Sequence, residues 1–122
     1  MSLINTTSED INFYSEDEKT ILHTIPKSNI SILLQTPTSK IIKTINNTPF
    51  YNLYFTPILV FKKNGEEIDL HVNGETIYIV SLQIKQFVKG TKYDSVFAVV
   101  DCCDGIIKNN PGESIGIKRF LI

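Results

Sequence analysis

The chain has 122 residues, of which 42% are hydrophobic, and its formal net charge at pH 7 is −1. A chain of this length forms one domain and buries roughly two-thirds of the surface that its unfolded form exposes. The near-neutral charge argues against a protein held on nucleic acid by bulk positive charge, because such proteins usually carry a clear basic excess. The composition therefore disfavours nucleic acid as a partner.

The charges are distributed unevenly along the chain. Residues 1–18 contain five carboxylates and no base, which gives this segment a charge of −5 and leaves +4 for residues 19–122. The segment also has few apolar residues to bury. We therefore expect residues 1–18 to form an acidic N-terminal arm outside a folded domain that spans residues 19–122. The acidic residues of this arm are Glu9, Asp10, Glu16, Asp17 and Glu18.

The N-terminus shows no basic segment followed by an apolar stretch, so it does not resemble a secretory signal. No run of apolar residues approaches the ~18 that a membrane-spanning helix needs. We therefore expect that the protein does not insert into a membrane. We expect it in the cytoplasm, or in the virion if the source is viral.

Alternation of apolar and polar residues dominates the chain and indicates β-strands. In the first half of the chain, strands are predicted over residues 20–25, 29–36 and 40–45, and a loop is predicted over residues 46–52.

Residues 57–80 contain Asn-Gly twice, and this dipeptide favours the type I′ turn of a two-residue hairpin. A turn at Asn64-Gly65 places Phe61 opposite Ile68, and a turn at Asn73-Gly74 adds a third strand. Both registers place the same apolar side chains on one face, which predicts a meander: Leu59, Phe61, Ile68, Leu70, Val72, Ile77 and Ile79. The other face carries Lys62, Glu67, Asp69, His71, Thr76 and Tyr78.

Residues 82–88 fit either an extension of the third meander strand or a helical turn. Residues 95–100 are predicted as a strand, and residues 114–122 as the closing strand, after a type II turn over residues 110–113. This succession of short strands predicts an all-β protein. We expect a single-domain antiparallel β-sandwich or jelly roll, with a small barrel as the alternative.

Residues 101–105 read Asp-Cys-Cys-Asp-Gly and raise the question of a reactive or metal-binding site. Neighbouring residues on a strand point to opposite faces, so Cys102 and Cys103 do not converge on one ion, and a structural zinc site needs two further ligands. A cysteine nucleophile needs a positioned base, and no pattern places one there. We interpret the stretch as a strand and a hairpin turn that pairs Asp101 with Lys108, with both cysteines structural or idle. An intermolecular disulfide is the alternative if the protein works outside the cell.

Two other patterns point to chemistry or ligand binding. Asp69 and His71 share a strand face and resemble a general base with its orienting group, but a solvated sheet face explains them better, because no Ser or Cys is registered beside them. Lysines next to Phe61, Phe87 and Tyr93 would suit a stacking platform for single-stranded nucleic acid on an OB-like barrel. At neutral net charge, ordinary strand ends explain these lysines better.

The sequence therefore predicts no catalytic, cofactor-binding or metal-binding residue, and we expect a protein that is not an enzyme and has no cofactor. An arm whose charge opposes that of the domain can lie on a neighbouring subunit of a symmetric oligomer. The apolar end of the closing strand suggests a second covered surface. The residues expected at the interface are Glu9, Asp10, Phe13, Glu16, Asp17, Glu18, Phe120 and Ile122.

We expect a structural protein that functions in assembly, a small β-sandwich subunit that self-associates as a homo-oligomer or docks on a larger particle. Small β-sandwich proteins with arms of this kind occur in phage and other virions, as head or capsid decoration and as filament subunits, an analogy at the level of the fold. The alternative is a binding module for a small ligand or for single-stranded nucleic acid.

Overall fold

A computed structural model describes residues 2–36, 39–52, 56–101, 105–108 and 111–122. Within these ranges the chain forms thirteen strands and one short helix, which confirms the all-β class. None of the sheets in the described ranges closes into a barrel. In chain order the elements are β1 (Ser2–Asn5), β2 (Ile11–Tyr14), β3 (Ile21–Ile25), β4 (Ile30–Gln35), β5 (Ile41–Ile45), β6 (Thr48–Tyr51), β7 (Ile58–Lys63), β8 (Glu66–Ile68), β9 (Thr76–Ile79), α1 (Leu82–Phe87), β10 (Phe97–Val100), β11 (Ile106–Lys108), β12 (Ser114–Ile117) and β13 (Phe120–Leu121).

The described strands form two four-stranded sheets, ordered β1-β9-β10-β13 and β11-β12-β2-β3, and two smaller sheets, β4-β7-β8 and β5-β6. The expectation of a purely antiparallel arrangement is wrong, because β1 with β9, β9 with β10 and β12 with β2 are parallel pairs. Parallel neighbours need a crossover connection of about a dozen residues or more. The segment that contains α1 supplies this connection between β9 and β10.

The first hairpin of the predicted meander is confirmed, and the second is wrong. In the first, Phe61 pairs with Ile68, and the turn residues Asn64 and Gly65 have φ angles of 53° and 82°. Strand β9 does not return against β8, because it pairs with β1 and β10 in a different sheet. As an inner strand of that sheet it buries both faces, including Tyr78 on the face expected to be polar.

The segment expected to lie outside the domain as an arm contributes a strand to each four-stranded sheet. Strand β1 lies along β9, and β2 lies between β3 and β12. Asn5, at the end of β1, is only 1% exposed, and its amide donates to the carbonyl oxygens of Glu9 and Ile25, at 2.8 Å and 3.2 Å. Residues 2–14 are thus part of the folded structure, because backbone pairing with distant strands satisfies their polar groups.

Residues Leu82–Phe87 form a helix, α1, and do not extend a meander strand. The Ser81 hydroxyl caps α1 by accepting from the backbone N–H of Ile84 at 3.4 Å. Ile84 and Val88 face the core, and Lys85 makes an ion pair of 2.8 Å with Asp94 in the following loop.

The main core lies between the β1-β9-β10-β13 sheet and the β4-β7-β8 sheet, with α1 against both. Four aromatic rings form a chain of contacts through this core. The centroid of Tyr93 lies 5.3 Å from that of Phe61 and 5.4 Å from that of Phe97, and the centroid of Phe97 lies 6.0 Å from that of Tyr78. The buried members of the core are Ile32, Phe61, Leu70, Tyr78, Val80, Ile84, Val88, Val96, Phe97 and Val99.

The predicted hairpin around the two cysteines is wrong in its pairing, because β10 and β11 belong to different sheets. Asp101 pairs with Arg119 rather than with Lys108: the backbone N–H of Asp101 donates to the carbonyl of Arg119 at 3.1 Å, and the Arg119 Nε lies 3.3 Å from the Asp101 carboxylate. The predictions for Cys102 and Cys103 fall outside the described residues.

Candidate interaction surfaces

The β5–β6 hairpin is a two-stranded sheet of its own, in a segment where the sequence predicted one strand and a loop. Its turn residues Asn46 and Asn47 have φ angles of 51° and 60°, the left-handed conformation that a type I′ turn requires at both central positions. At the base of the hairpin, the backbone N–H of Lys40 donates to the Asn52 side chain at 2.9 Å. The turn was missed because Asn-Asn is a weaker signal for it than Asn-Gly.

Every residue from 41 to 51 is exposed, although the hairpin carries five large apolar side chains. These side chains are between 43% and 63% exposed, and we call them the hairpin patch: Ile41, Ile42, Ile45, Phe50 and Tyr51. A lone two-stranded hairpin is marginally stable in water. The register places Ile41 and Tyr51 on one face of the hairpin and Ile45 and Phe50 on the other, so both faces expose apolar side chains. Exposed apolar surface of this kind marks sites of protein association.

The hairpin is basic. Residues 39–52 contain Lys40 and Lys43 and no carboxylate, so this segment carries a charge of +2. Both lysines are exposed. The hairpin therefore combines apolar side chains with positive charge.

Strand β3 forms one edge of its sheet, and within the described ranges no strand pairs with its outer side. The first four residues of β3, Ile21 to Thr24, are exposed, and they include the large apolar side chains of Ile21 and Leu22. This edge is a second exposed apolar surface.

The predicted acidic interface residues lie at the two ends of the β2–β3 pair. Glu9 and Asp10 precede β2, while Glu16, Asp17 and Glu18 lie in the turn that follows it. All five residues are exposed. We call β3 together with these five carboxylates the acidic edge.

The turn between β2 and β3 is well ordered by hydrogen bonds. The Asp17 carboxylate accepts from the Ser15 hydroxyl and, at 3.1 Å, from the backbone N–H of Lys19. These two bonds, the first more than the second, lower the pKa of Asp17 below its ordinary value. Asp17 is therefore charged at neutral pH and shapes the turn, while Glu16 and Glu18 are exposed.

Of the remaining predicted interface residues, Phe13 and Phe120 contact each other within one chain. Their rings stack with centroids 5.9 Å apart. Ile122 is 67% exposed and lines an apolar cleft of about 430 Å³. The cleft is formed by Ser2, Leu3, Ile77, Ala98, Phe120, Leu121 and Ile122.

The positions considered for chemistry are not assembled into a site. Asp69 and His71 are both exposed and lie beyond the end of β8. Within the described ranges, no group of three or more His, Cys, Asp or Glu side chains is placed to hold a metal ion. Phe61 is buried and Tyr93 packs against the core, so two of the three aromatic groups considered as a stacking platform belong to the interior.

The accessible surface of the chain is 8595 Å², whereas a compact monomer of this mass exposes about 6600 Å². This excess accompanies the many exposed apolar residues on β3, the hairpin and β13. No helix in the described part of the chain has the length and apolar character needed to cross a membrane. Comparison of the chain with protein-family models, curated proteins and solved structures finds no match.

Proposed function

We propose that this chain is a structural subunit, without enzymatic activity, that works in an assembly by self-association or by docking on a larger particle of the virion, head-decoration or filament type. The hairpin patch supports this proposal: five large apolar side chains, each at least 43% exposed, stand on a basic hairpin. We also propose that the β1-β9-β10-β13 and β4-β7-β8 sheets pack as a β-sandwich. The core between the β9–β10 and β4–β7 pairs supports this arrangement.

The size of the apolar surface indicates how the subunit would associate. The five side chains retain about half of their exposure, so covering them contributes roughly 4–8 kcal/mol, given about 1.5–3 kcal/mol for full burial of each. Association costs an estimated 4–15 kcal/mol in lost freedom of motion. The hairpin alone is therefore a weak contact, and a stable assembly needs a second surface on each subunit.

Size-exclusion chromatography with light scattering tests the proposal. The wild-type chain should exceed its monomer mass of 13.8 kDa at high concentration. The double variant Ile42→Thr with Phe50→Thr should shift toward the monomer, because it removes apolar contact area while keeping good strand formers. A matched control, Ile58→Thr with Leu82→Thr, removes exposed apolar side chains elsewhere. If both variants have the same mass in solution, the hairpin patch is not the surface through which the subunits associate.

A binding module for a small ligand remains the second candidate function. A cleft of about 450 Å³ lies beside β4 and is lined by hydroxyl and amide side chains, by Lys27 and by four apolar residues, Ile30, Ile32, Leu33 and Ile84. Its polar members are Thr6, Thr7, Ser8, Ser28, Asn29, Ser31 and Ser81. Chemical-shift changes confined to this cleft on addition of a mononucleotide, in a protein that stays monomeric, would favour this candidate.

A further inference from the structure

We propose that the hairpin patch of one subunit docks on the acidic edge of a second copy of this chain, so that a strand of the hairpin extends the β11-β12-β2-β3 sheet of its neighbour. This inference rests on the proposed function and names the partner of the hairpin.

The edge formed by β3 carries one of the features that usually prevent pairing with another chain, a bulge near its beginning, and lacks the others. Edge strands are commonly protected by an inward charge, a lysine, a proline or a bulge on their open side. The five residues of β3, Ile-Leu-His-Thr-Ile, include no Lys, Arg, Asp, Glu or Pro. The pairing with β2 shifts register at Leu22, which lies between the paired residues Ile21 and His23 and marks a bulge. His23 and Thr24, beyond this bulge, are exposed and open to an added strand, whereas Ile25 is buried.

The hairpin offers a strand of matching character. Strand β6 contains Pro49, which has no backbone N–H to donate, and this weakens it as a partner in a ladder. Strand β5 contains no proline, and its sequence Ile-Ile-Lys-Thr-Ile is rich in β-branched residues that favour strands. Adding such a strand to a free sheet edge forms main-chain hydrogen bonds, while neighbouring side chains add apolar contact. Ile21 and Leu22 are the apolar residues on the receiving strand.

The charges of the two surfaces are complementary. Residues 9–25 contain five carboxylates and Lys19, for a charge of −4, whereas the hairpin segment carries +2. In the described part of the chain, no ion pair connects these two segments within one molecule. The described lysines of the hairpin and carboxylates of the edge are therefore available to a second copy.

The contact joins two different surfaces of the chain, the hairpin and the acidic edge. Two copies that exchange hairpins reciprocally use both surfaces in a closed two-fold dimer, whereas copies that dock head to tail form a larger ring or a filament. The reciprocal dimer contains two such contacts, which compensates for the weakness of one.

Charge reversal tests the inference. One variant, Lys40→Glu with Lys43→Glu, makes the hairpin acidic, and a second, Glu16→Lys with Glu18→Lys, makes the turn basic. Asp17 is kept because it shapes the turn. Each variant alone should associate roughly tenfold more weakly than the wild type, because attraction becomes repulsion at exposed charge pairs. An equimolar mixture should regain association, because each hairpin then meets a turn of opposite charge.

A control variant, Asp69→Lys with Glu75→Lys, makes the same change in net charge as the turn variant, at exposed positions outside the acidic edge, and should associate like the wild type. Circular dichroism should show the same fold for all variants. If the wild type associates but the reversed variants do so equally well, or if their mixture does not recover, the acidic edge is not the partner and the proposed function stands. If the wild type is monomeric at every concentration, the inference fails together with self-association.

Discussion

The rings of Phe13 and Phe120 stack with their centroids 5.9 Å apart and their planes 10° from parallel. Phe13 lies on β2 and Phe120 on β13, which belong to different four-stranded sheets. Phe13 also stacks on His23 of β3, at 5.1 Å between centroids. The aromatic stack therefore connects the two large sheets through side chains, in a place where no strand pairing connects them in the described ranges.

A double-mutant cycle should detect this connection. Phe13→Leu and Phe120→Leu each retain apolar bulk but remove the stacked rings. Urea unfolding should show a coupling free energy of about 0.5–1.5 kcal/mol between the two substitutions, as expected for an aromatic pair. Phe13→Leu combined with Phe87→Leu, on α1, should be additive. If the effects of Phe13→Leu and Phe120→Leu on the unfolding free energy are also additive, the stacking of the two rings contributes no stability beyond their burial.

The packing of β2 against β12 predicts a strong effect at Gly116. A methyl group at this position would lie 2.3 Å from the Tyr14 ring and 2.7 Å from the carbonyl oxygen of Asn12. Gly116→Ala should therefore cost about 1–3 kcal/mol of unfolding free energy, because β2 must move away. Adding Tyr14→Ala should relieve only part of the clash, since the backbone oxygen remains. An Ala variant as stable as the wild type would show that β2 is not held there.

The two faces of the segment after β8 should respond differently to a charge. Leu70 is buried in the core, whereas its neighbour His71 is exposed. Leu70→Asp should cost at least the ~2–5 kcal/mol of truncating a buried leucine, and more because the new carboxylate has no partner. His71→Asp should change the unfolding free energy by less than ~0.5 kcal/mol. Similar losses for both variants would contradict this burial pattern.

The ion pair of Lys85 and Asp94 should make stability depend on pH. The hydrogen bond from Lys85, followed by that from the backbone N–H of Gly90, lowers the pKa of Asp94 below its ordinary value of 3.8. A carboxyl group with a lowered pKa in the folded state stabilises the protein above pH 3.8, and the effect disappears as the pH falls through the folded-state pKa. Asp94→Asn should thus be less stable than the wild type at pH 7 and equally stable once Asp94 is protonated. Asp69→Asn, which removes an exposed carboxylate, controls for the loss of one charge. A stability difference between Asp94→Asn and the wild type that persists in acid would contradict a role for the ion pair.

The parts of the fold that were predictable from sequence are those fixed by local signals. The dipeptide Asn64-Gly65 specifies the turn of the first hairpin, and the turn fixes the register of the two strands. Alternation also placed the strands near residues 21–25, 30–35 and 41–45. In each case, the residues that decide the structure are close together along the chain.

The parallel ladders and the role of the N-terminal segment were not predictable in this way. The pairing of Leu3 with Ile77 joins residues far apart in the sequence, and no local pattern encodes it. Tyr78 was assigned to a polar face because an alternating pattern predicts a strand with one buried and one solvent-exposed face. That assumption fails for β9, an inner strand between parallel neighbours, which is buried on both faces. The acidic charge of residues 1–18 suggested exposure, but the carboxylates lie in turns while the apolar residues between them form strands.

The candidate surface was only partly predictable. The acidic residues were predicted from charge, and the structure places them at the two ends of the β2–β3 pair, where they are exposed. Their role at an interface stays a prediction. The hairpin patch was missed because strand-like residues such as Ile41 and Ile42 look the same in sequence whether a strand is buried or exposed. The exposure of a strand depends on what packs against it, which composition does not show.

Hydrogen–deuterium exchange at two protein concentrations tests the central claim, that the β5–β6 hairpin is an association surface. In dilute protein the amides of β5 and β6 should exchange rapidly, because a lone hairpin is marginally stable. At about a hundredfold higher concentration they should be protected together with those of β3, whereas the amides of β9 and β10 should be unchanged. Exchange of the hairpin amides that is equally fast at both concentrations, in a sample shown to be associated by light scattering, would contradict the claim.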